Sequence, residues 1–225
     1  MSAGPEGGSA RAQILARVRA ANGPARDASE VDRAYAELAR PYRRAHHDPA
    51  ATDIVALFAE RAADYRAVVE RVPAGGLAAA IGAALATAWD GPQRTVLVPA
   101  GVPEEWLAAL PEATTIARDA PPLAATGLDG LPAVLTGCAA AIAETGTVVL
   151  DHGPAQGRRA LTLVPDFHVV VVEAAQVAPD IAEALERLDP ARPVTFISGP
   201  SATSDIELIR VEGVHGPRTL HILIA

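Results

Sequence analysis

The segment FHVVVVEA, residues 167–174, indicates the fold class most clearly, because four consecutive valines leave no polar face. A strand without polar alternation is typical of a parallel sheet that is covered on both faces. Working outward from it, further β-branched runs lie at 94–99, 113–118, 193–198 and 220–224 and alternate with helical segments. This alternation predicts an α/β protein, a Rossmann-like three-layer arrangement with a mostly parallel sheet and helices on both faces.

The N-terminal part of the chain has a helical pattern. Residues 1–8 are rich in Gly, Ser and Pro and are expected to be a disordered tail. A helical region then extends over 9–90, starting with a helix for which Ser9 is the candidate N-cap. Within this region a long helix is predicted from Asp48, with Pro49 in its first turn, to about Val72. Residues 91–225 are predicted to form the α/β domain.

Composition limits the classes of function. The chain has 225 residues and a net charge of −8, and all 19 basic residues are arginine. An acidic chain does not suit nucleic acid or anionic membranes, and the absence of lysine excludes Schiff bases and a P-loop. The single cysteine, Cys138, excludes an internal disulfide and a cluster-binding cysteine set. With neither a signal peptide nor a run of about 20 apolar residues, we expect a cytoplasmic protein without membrane insertion.

Three polar stretches follow predicted strands, and open α/β sheets bind ligands at strand ends. The first is AETGT, residues 143–147. Thr145 and Gly146 stand between two apolar runs, which predicts a tight turn between antiparallel strands. Glu144 is then either a carboxylate of a functional site or a turn residue that faces solvent, and spacing alone favours the second interpretation.

The second stretch is DHGPAQGRR, residues 151–159. Arginine suits bidentate capture of a carboxylate or phosphate. An ordinary polar surface loop explains the same residues and is favoured by the pattern alone. No G-x-G-x-x-G motif occurs here, so a dinucleotide-binding fingerprint is absent.

The third stretch is ISGPSATSDIE, residues 197–207. A strand, a Gly-Pro pair, hydroxyls and a helix start can bind an anion on free N–H groups. Alternatively, Ser204 and Glu207 form a capping box, which leaves the hydroxyls before Ser204 unexplained.

The histidines are weaker indications of a functional site. His46 and His47 precede a helix cap and are expected to face solvent, while His168 opens the most apolar strand. His215 lies between two glycines, where a ring could approach a ligand. No histidine or cysteine pair has metal-ligand spacing, so no metal site is predicted.

Together, four segments resemble the LUD domain family in order and spacing. They are AIAETGTVVL, LTLVPDFHVVVV, ISGPSATSDIE and GVHGPRTLHILI. The resemblance implies the fold shared by CoA transferases, ribose-5-phosphate isomerase and glucosamine-6-phosphate deaminase. It also implies a bacterial component of L-lactate oxidation to pyruvate that works with iron–sulfur lactate-utilisation proteins. Those partners carry the clusters, so no cofactor is expected in this chain.

The resemblance and the placement of polar residues at strand ends imply a pocket. Because lysine and a G-x-G-x-x-G motif are absent, a small carboxylate or phosphate is favoured over a nucleotide as its ligand. Its candidate residues are Glu144, Thr145, Gly146, Thr147, Arg158, His168, Ser198, Gly199, Ser201, Thr203, Asp205, Glu207, His215, Gly216 and Arg218. Glu144 or His215 would accept the proton of the lactate hydroxyl, and Arg158 or Arg218 would hold the carboxylate.

Two alternatives stay open. One is a stand-alone CoA-transferase-like or sugar-phosphate enzyme that uses Glu144. The other is an interaction subunit without a catalytic site.

Overall fold

A computed structural model describes residues 9–24, 27–41, 46–89, 91–92, 94–203, 211–213 and 216–225. The tail predicted at residues 1–8 lies outside this range. The chain separates into two compact units, Met1–Tyr42 and Arg43–Ala225.

The first unit contains two helices, α1 (Ala10–Asn22) and α2 (Ala28–Ala36). Ser9 caps α1, as predicted, by accepting a hydrogen bond from the Ala12 amide, and Asp27 caps α2 in the same way. Neither helix buries a side chain.

The second unit contains the remaining helices and all the described strands. Its helices are α3 (Ile54–Asp64), α4 (Leu77–Ala86), α5 (Ala125–Asp129) and α6 (Ile181–Glu186), with 3₁₀ turns at Glu104–Leu107, Arg159–Thr162 and Ala174–Gln176. Its strands are β1 (Val68–Arg71), β2 (Arg94–Leu97), β3 (Thr114–Ala117), β4 (Ala133–Thr136), β5 (Ala140–Ile142), β6 (Thr147–Leu150), β7 (Phe167–Val172), β8 (Val177–Ala178), β9 (Thr195–Ile197), β10 (Ala202–Thr203), β11 (Val211–Glu212) and β12 (Thr219–Ile224).

Six parallel strands form the main sheet in the order β1-β12-β7-β4-β2-β3. The valine run forms β7 near its centre. Val170 and Val172 lie in one buried cluster with Phe58 of α3, while Val169 and Val171 lie in another with Leu85 of α4. Both faces of β7 are therefore covered by helices, and the predicted α/β class is confirmed.

A second sheet has the order β8-β5-β6-β9. β5 and β6 are antiparallel, and the turn that joins them contains Gly146 in a left-handed conformation (φ +60°). The predicted turn between antiparallel strands is confirmed. Val148 and Leu150 of β6 share the buried cluster of α3 and Val170, so this sheet covers the same face of the main sheet as α3 does.

The long helix predicted from Asp48 to Val72 is wrong in length. Helix α3 starts after Asp53, whose carboxylate accepts from the Ala56 amide, and it ends at Asp64. Arg66 then takes a positive φ, and Val68–Arg71 forms β1, parallel to β12. The β-branched pair Val68 and Val69 suits this edge strand better than a helix. A strand of the main sheet thus comes from within the region predicted as helical.

Apolar residues recur at helical spacing from Val177 to Leu188, but the helix in this segment is shorter than that pattern. Val177 and Ala178 form β8, and only Ile181–Glu186 is helical. Ile181 and Leu185, which belong to that apolar pattern, are exposed, and Ala184 is buried.

Two glycines allow the end of α3 to approach the second sheet. A Cβ on Gly146 would lie 2.4 Å from the Ala62 nitrogen, and one on Gly199 would lie 2.5 Å from the Tyr65 carbonyl oxygen. Both neighbours are backbone atoms, so no side chain can move aside to make room. Gly199 also has φ +78°, which other residues rarely adopt.

We predict that Gly199→Ala destabilises the protein by about 2–4 kcal/mol, because backbone strain and overpacking both contribute. Gly75→Ala is the matched control, since Gly75 has the same φ of +78° and no atom within 4 Å of the added Cβ. It should cost only about 1–2 kcal/mol, the strain alone. Urea unfolding of both variants measures the difference, and equal losses would show that α3 does not require the glycine.

Candidate functional site

Two of the predicted polar stretches, residues 143–147 and the stretch that starts at Ile197, meet at one edge of the second sheet. Strands β5 and β9 both run antiparallel to β6, so residues 143–147 and Ser198 lie at the same end. The Thr147 and Ser198 hydroxyls are 2.8 Å apart, and the Thr145 and Thr147 hydroxyls are 2.7 Å apart. These polar residues therefore form a hydroxyl chain from the turn to Ser198.

The second stretch begins at the opposite edge, because it follows the end of β6. His152 Nε2 lies 3.2 Å from the Thr195 hydroxyl, at the start of β9. The sequence predicts the turn between β5 and β6 but not the pairing of β9 with β6, so it does not distinguish these edges.

A pocket of about 230 Å³ lies at the amino ends of β7 and β12 and beside the end of β9. We call it the β7–β12 pocket. Among its lining residues are Arg159, Thr162, His168, Ser198, Gly199, Ser201 and Gly216. Five predicted site residues meet here, but at the amino edge of the main sheet and not at the carboxyl edge that the fold class suggests.

His168 supplies a buried neutral group to the pocket. Its side chain is 1% exposed, and Nε2 lies 2.7 Å from the hydroxyl of the buried Thr136. Burial, together with the positive charge of Arg159, lowers the pKa of His168 to about 3. The imidazole is therefore uncharged at neutral pH, where it serves as a hydrogen-bonding group and not as a cation.

Arg159 supplies the positive charge of the pocket. Its Nη1 donates to the Thr162 hydroxyl, 3.2 Å away, and burial lowers the pKa of the guanidinium without discharging it. Within the described ranges no carboxylate pairs with Arg159. The sequence prediction names the neighbouring Arg158 instead, because the sequence alone does not show which of two adjacent arginines faces the pocket.

Both arginines predicted as carboxylate clamps are engaged elsewhere. Arg158 makes a bidentate pair with Asp119 at 2.7 and 2.9 Å, and Arg218 pairs with Asp166 at 2.7 Å. Each arginine lowers the pKa of its carboxylate by hydrogen bonding, and neither lines the pocket. The first pair links the loops at Asp119 and Arg158, and the second links the residues just before β7 and β12. A role of these arginines in ligand binding remains a prediction.

Glu144 lies in the turn before β6, outside the pocket. Its carboxylate contacts His47 Nε2, and its amide donates to the Pro179 carbonyl. His46 lies nearby in the chain and pairs with the buried Asp180 through its amide (2.6 Å) and its ring (2.8 Å). His46 is exposed, as expected, although its amide and ring contact Asp180. The expectation is wrong for His47, whose side chain is only 24% exposed because it ties the segment before α3 to the second sheet.

These contacts also affect Asp180. Burial by itself would raise its pKa, but hydrogen bonds from the His46 amide and ring, and from the His47 amide, lower the pKa below its ordinary value.

The carboxyl edge of the main sheet holds two other cavities. One, of about 390 Å³, contains Arg118 and Asp119, which pair with Glu104 and Arg158. The other, of about 180 Å³, contains Cys138. Burial raises the pKa of the Cys138 thiol, which donates to Gln176 and is therefore unreactive. The charged side chains of the first cavity are thus partnered, and the thiol of the second stays protonated.

Several predicted positions lie outside the described residues, namely Asp205, Glu207, His215 and the capping box at 204–207. Thr203 ends β10, which pairs with β11. Among the described residues, no group of three or more His, Cys, Asp or Glu side chains could hold a metal ion. None of the described helices is long and apolar enough to span a membrane.

The pocket residues fall in the part of the chain that matches known proteins. The model of the LUD domain matches residues 128–225. A lactate utilization protein C from Deinococcus radiodurans is 48% identical over 176 residues, which span 76% of this chain and 79% of that protein. The chain belongs to the LUD domain family. Residues Arg159, His168 and Ser198 all lie within the matched domain.

Two other relatives agree with this assignment. The lactate utilization protein C of Bacillus pumilus is 39% identical over 92 residues, which cover 37% of this chain and 38% of that protein. The crystal structure of a DUF162 family protein from Deinococcus radiodurans superposes with a TM-score of 0.63 at 41% identity, covering 76% of this chain and 96% of that one.

The buried imidazole predicts a pH dependence of stability. The folded state holds the pKa of His168 at about 3, while the unfolded chain has about 6.5, so only the unfolded chain takes up a proton between these values. Stability from this group is complete above pH 6.5 and falls by about 1.4 kcal/mol per pH unit below it. Denaturant unfolding at pH 7 and pH 5 should show this extra loss relative to His168→Gln.

An NMR titration tests the same point without a variant. The His168 ring should stay neutral down to pH 4. An NMR titration midpoint of His168 near pH 6.5 would contradict a buried neutral histidine. So would an equal loss of stability from pH 7 to pH 5 in the native protein and His168→Gln.

Proposed function

We propose that this chain is a component of a bacterial L-lactate utilisation system that works in the cytoplasm with iron–sulfur partner proteins. The observation that carries the proposal is the 48% identity over 176 residues with a lactate utilization protein C. Oxidation of L-lactate to pyruvate releases two electrons and two protons. A chain with one cysteine lacks the ligands of a cluster, so the partners would accept the electrons.

The β7–β12 pocket supports a substrate-binding role within this system. It combines one positive charge, a neutral imidazole and hydroxyls in a volume of about 230 Å³, smaller than the roughly 300–1,000 Å³ of pockets for drug-sized ligands. These groups suit a small carboxylate.

A non-catalytic interaction subunit is the second candidate. It is supported by α1 and α2, which bury no side chain and expose apolar residues such as Ile14 and Tyr35. The alternative of a CoA-transferase-like or sugar-phosphate enzyme that uses Glu144 gains no comparable support, because Glu144 contacts His47 outside the pocket.

We predict that the chain, produced together with the iron–sulfur proteins encoded in its own genome, is required for L-lactate-dependent dye reduction. Omitting the chain should abolish the reduction and leave dithionite reduction of the clusters unchanged. Affinity purification of the tagged chain should also recover the partners. Full lactate-dependent activity of the partners alone would contradict the proposal.

A further inference from the structure

The balance of charges around the β7–β12 pocket differs from that of the neighbouring loops. Arg158 and Arg218 each have a carboxylate partner, in Asp119 and Asp166. Arg159 has no carboxylate partner in the described part of the chain. Burial lowers the pKa of its guanidinium. A partly buried cation without a counterion is unfavourable, and an anion in the pocket would relieve this cost.

The guanidinium N–H groups of Arg159 can bind a ligand carboxylate. Arg159 Nη1 donates hydrogen bonds to the carbonyl oxygen and the hydroxyl of Thr162, and these bonds fix the plane of the guanidinium. A guanidinium has five N–H donors, so enough remain for a bidentate contact with a carboxylate. Thr162 belongs to the same 3₁₀ turn, Arg159–Thr162, so local backbone geometry positions the cation.

The other polar groups that the described residues bring to the pocket are uncharged. His168 is neutral and Ser198 contributes a hydroxyl. Such groups pair with a hydroxyl or a keto oxygen, whereas a second negative charge would meet no second described cation in the pocket. Gly199 and Gly216 also line the pocket and add no side chain to it.

We propose that the β7–β12 pocket binds a small monocarboxylate with an adjacent hydroxyl or keto oxygen, and that Arg159 holds its carboxylate. The proposal rests on the proposed function for the choice of a 2-hydroxy or 2-keto acid. Arg159 positions the ligand with its carboxylate on the guanidinium and its second oxygen toward His168 and Ser198.

Isothermal titration of the full-length chain tests this with L-lactate, pyruvate and inorganic phosphate as separate probes. We expect L-lactate or pyruvate to bind in preference to phosphate. Arg159→Gln should weaken binding at least about tenfold, because a charge-assisted contact is lost. Arg118→Gln is the matched control: it removes the same charge from an exposed pair with Glu104, outside the pocket, and should change affinity less than about twofold.

Each outcome decides the proposal. Preference for phosphate, or equal losses in the two variants, would overturn it, as would no binding of any probe to the native chain. The proposed function would survive if the chain were still required for lactate-dependent dye reduction. Conversely, selective binding that depends on Arg159 would support the site even if the partners alone reduced the dye.

Discussion

The close approach of α3 to two glycines organises the second unit. The end of the helix lies against the turn at Gly146 and the loop at Gly199, where backbone atoms occupy the space of a side chain. This contact brings α3 and the second sheet onto one face of the main sheet, where Phe58, Val148 and Val170 share a buried cluster. It also holds the loop that contributes Ser198 and Gly199 beside the amino ends of β7 and β12.

The pocket is defined as much by charge as by shape. Among the described residues, Arg158 and Arg218 pair with aspartates, while Arg159 lines the pocket together with a neutral imidazole and hydroxyls. Because His168 is kept uncharged, Arg159 provides the described positive charge of the pocket. This arrangement suits a singly charged ligand and agrees with the lactate-related names of the relatives.

Much of the fold follows from local sequence patterns. The unbroken valines of β7 predict coverage on both faces, and the Thr145-Gly146 pair predicts the turn between β5 and β6. The extent of α3 could not be predicted, because Val68–Arg71 continues the helical periodicity and becomes a strand only by pairing with β12, about 150 residues away in the chain. Such long-range pairing leaves no local signal.

The residues of the candidate site could likewise be predicted only in part from the sequence. The sequence selects His168 and Ser198, which line the pocket, from polar residues beside apolar strands. It cannot choose between Arg158 and Arg159, because the choice depends on a carboxylate, Asp119, that lies 39 residues away. Nor does it show that His46 and His47 reach Asp180 and Glu144, since these contacts cross 134 and 97 residues.

The assignment of the β7–β12 pocket can be tested with a crystal of the full-length chain soaked in L-lactate. We predict density for the acid in this pocket, with its carboxylate within hydrogen-bond distance of the Arg159 guanidinium and its hydroxyl facing His168 or Ser198. Lactate bound instead at the carboxyl edge of the main sheet, beside Cys138, or a pocket that stays without ligand at saturating lactate, would contradict this assignment.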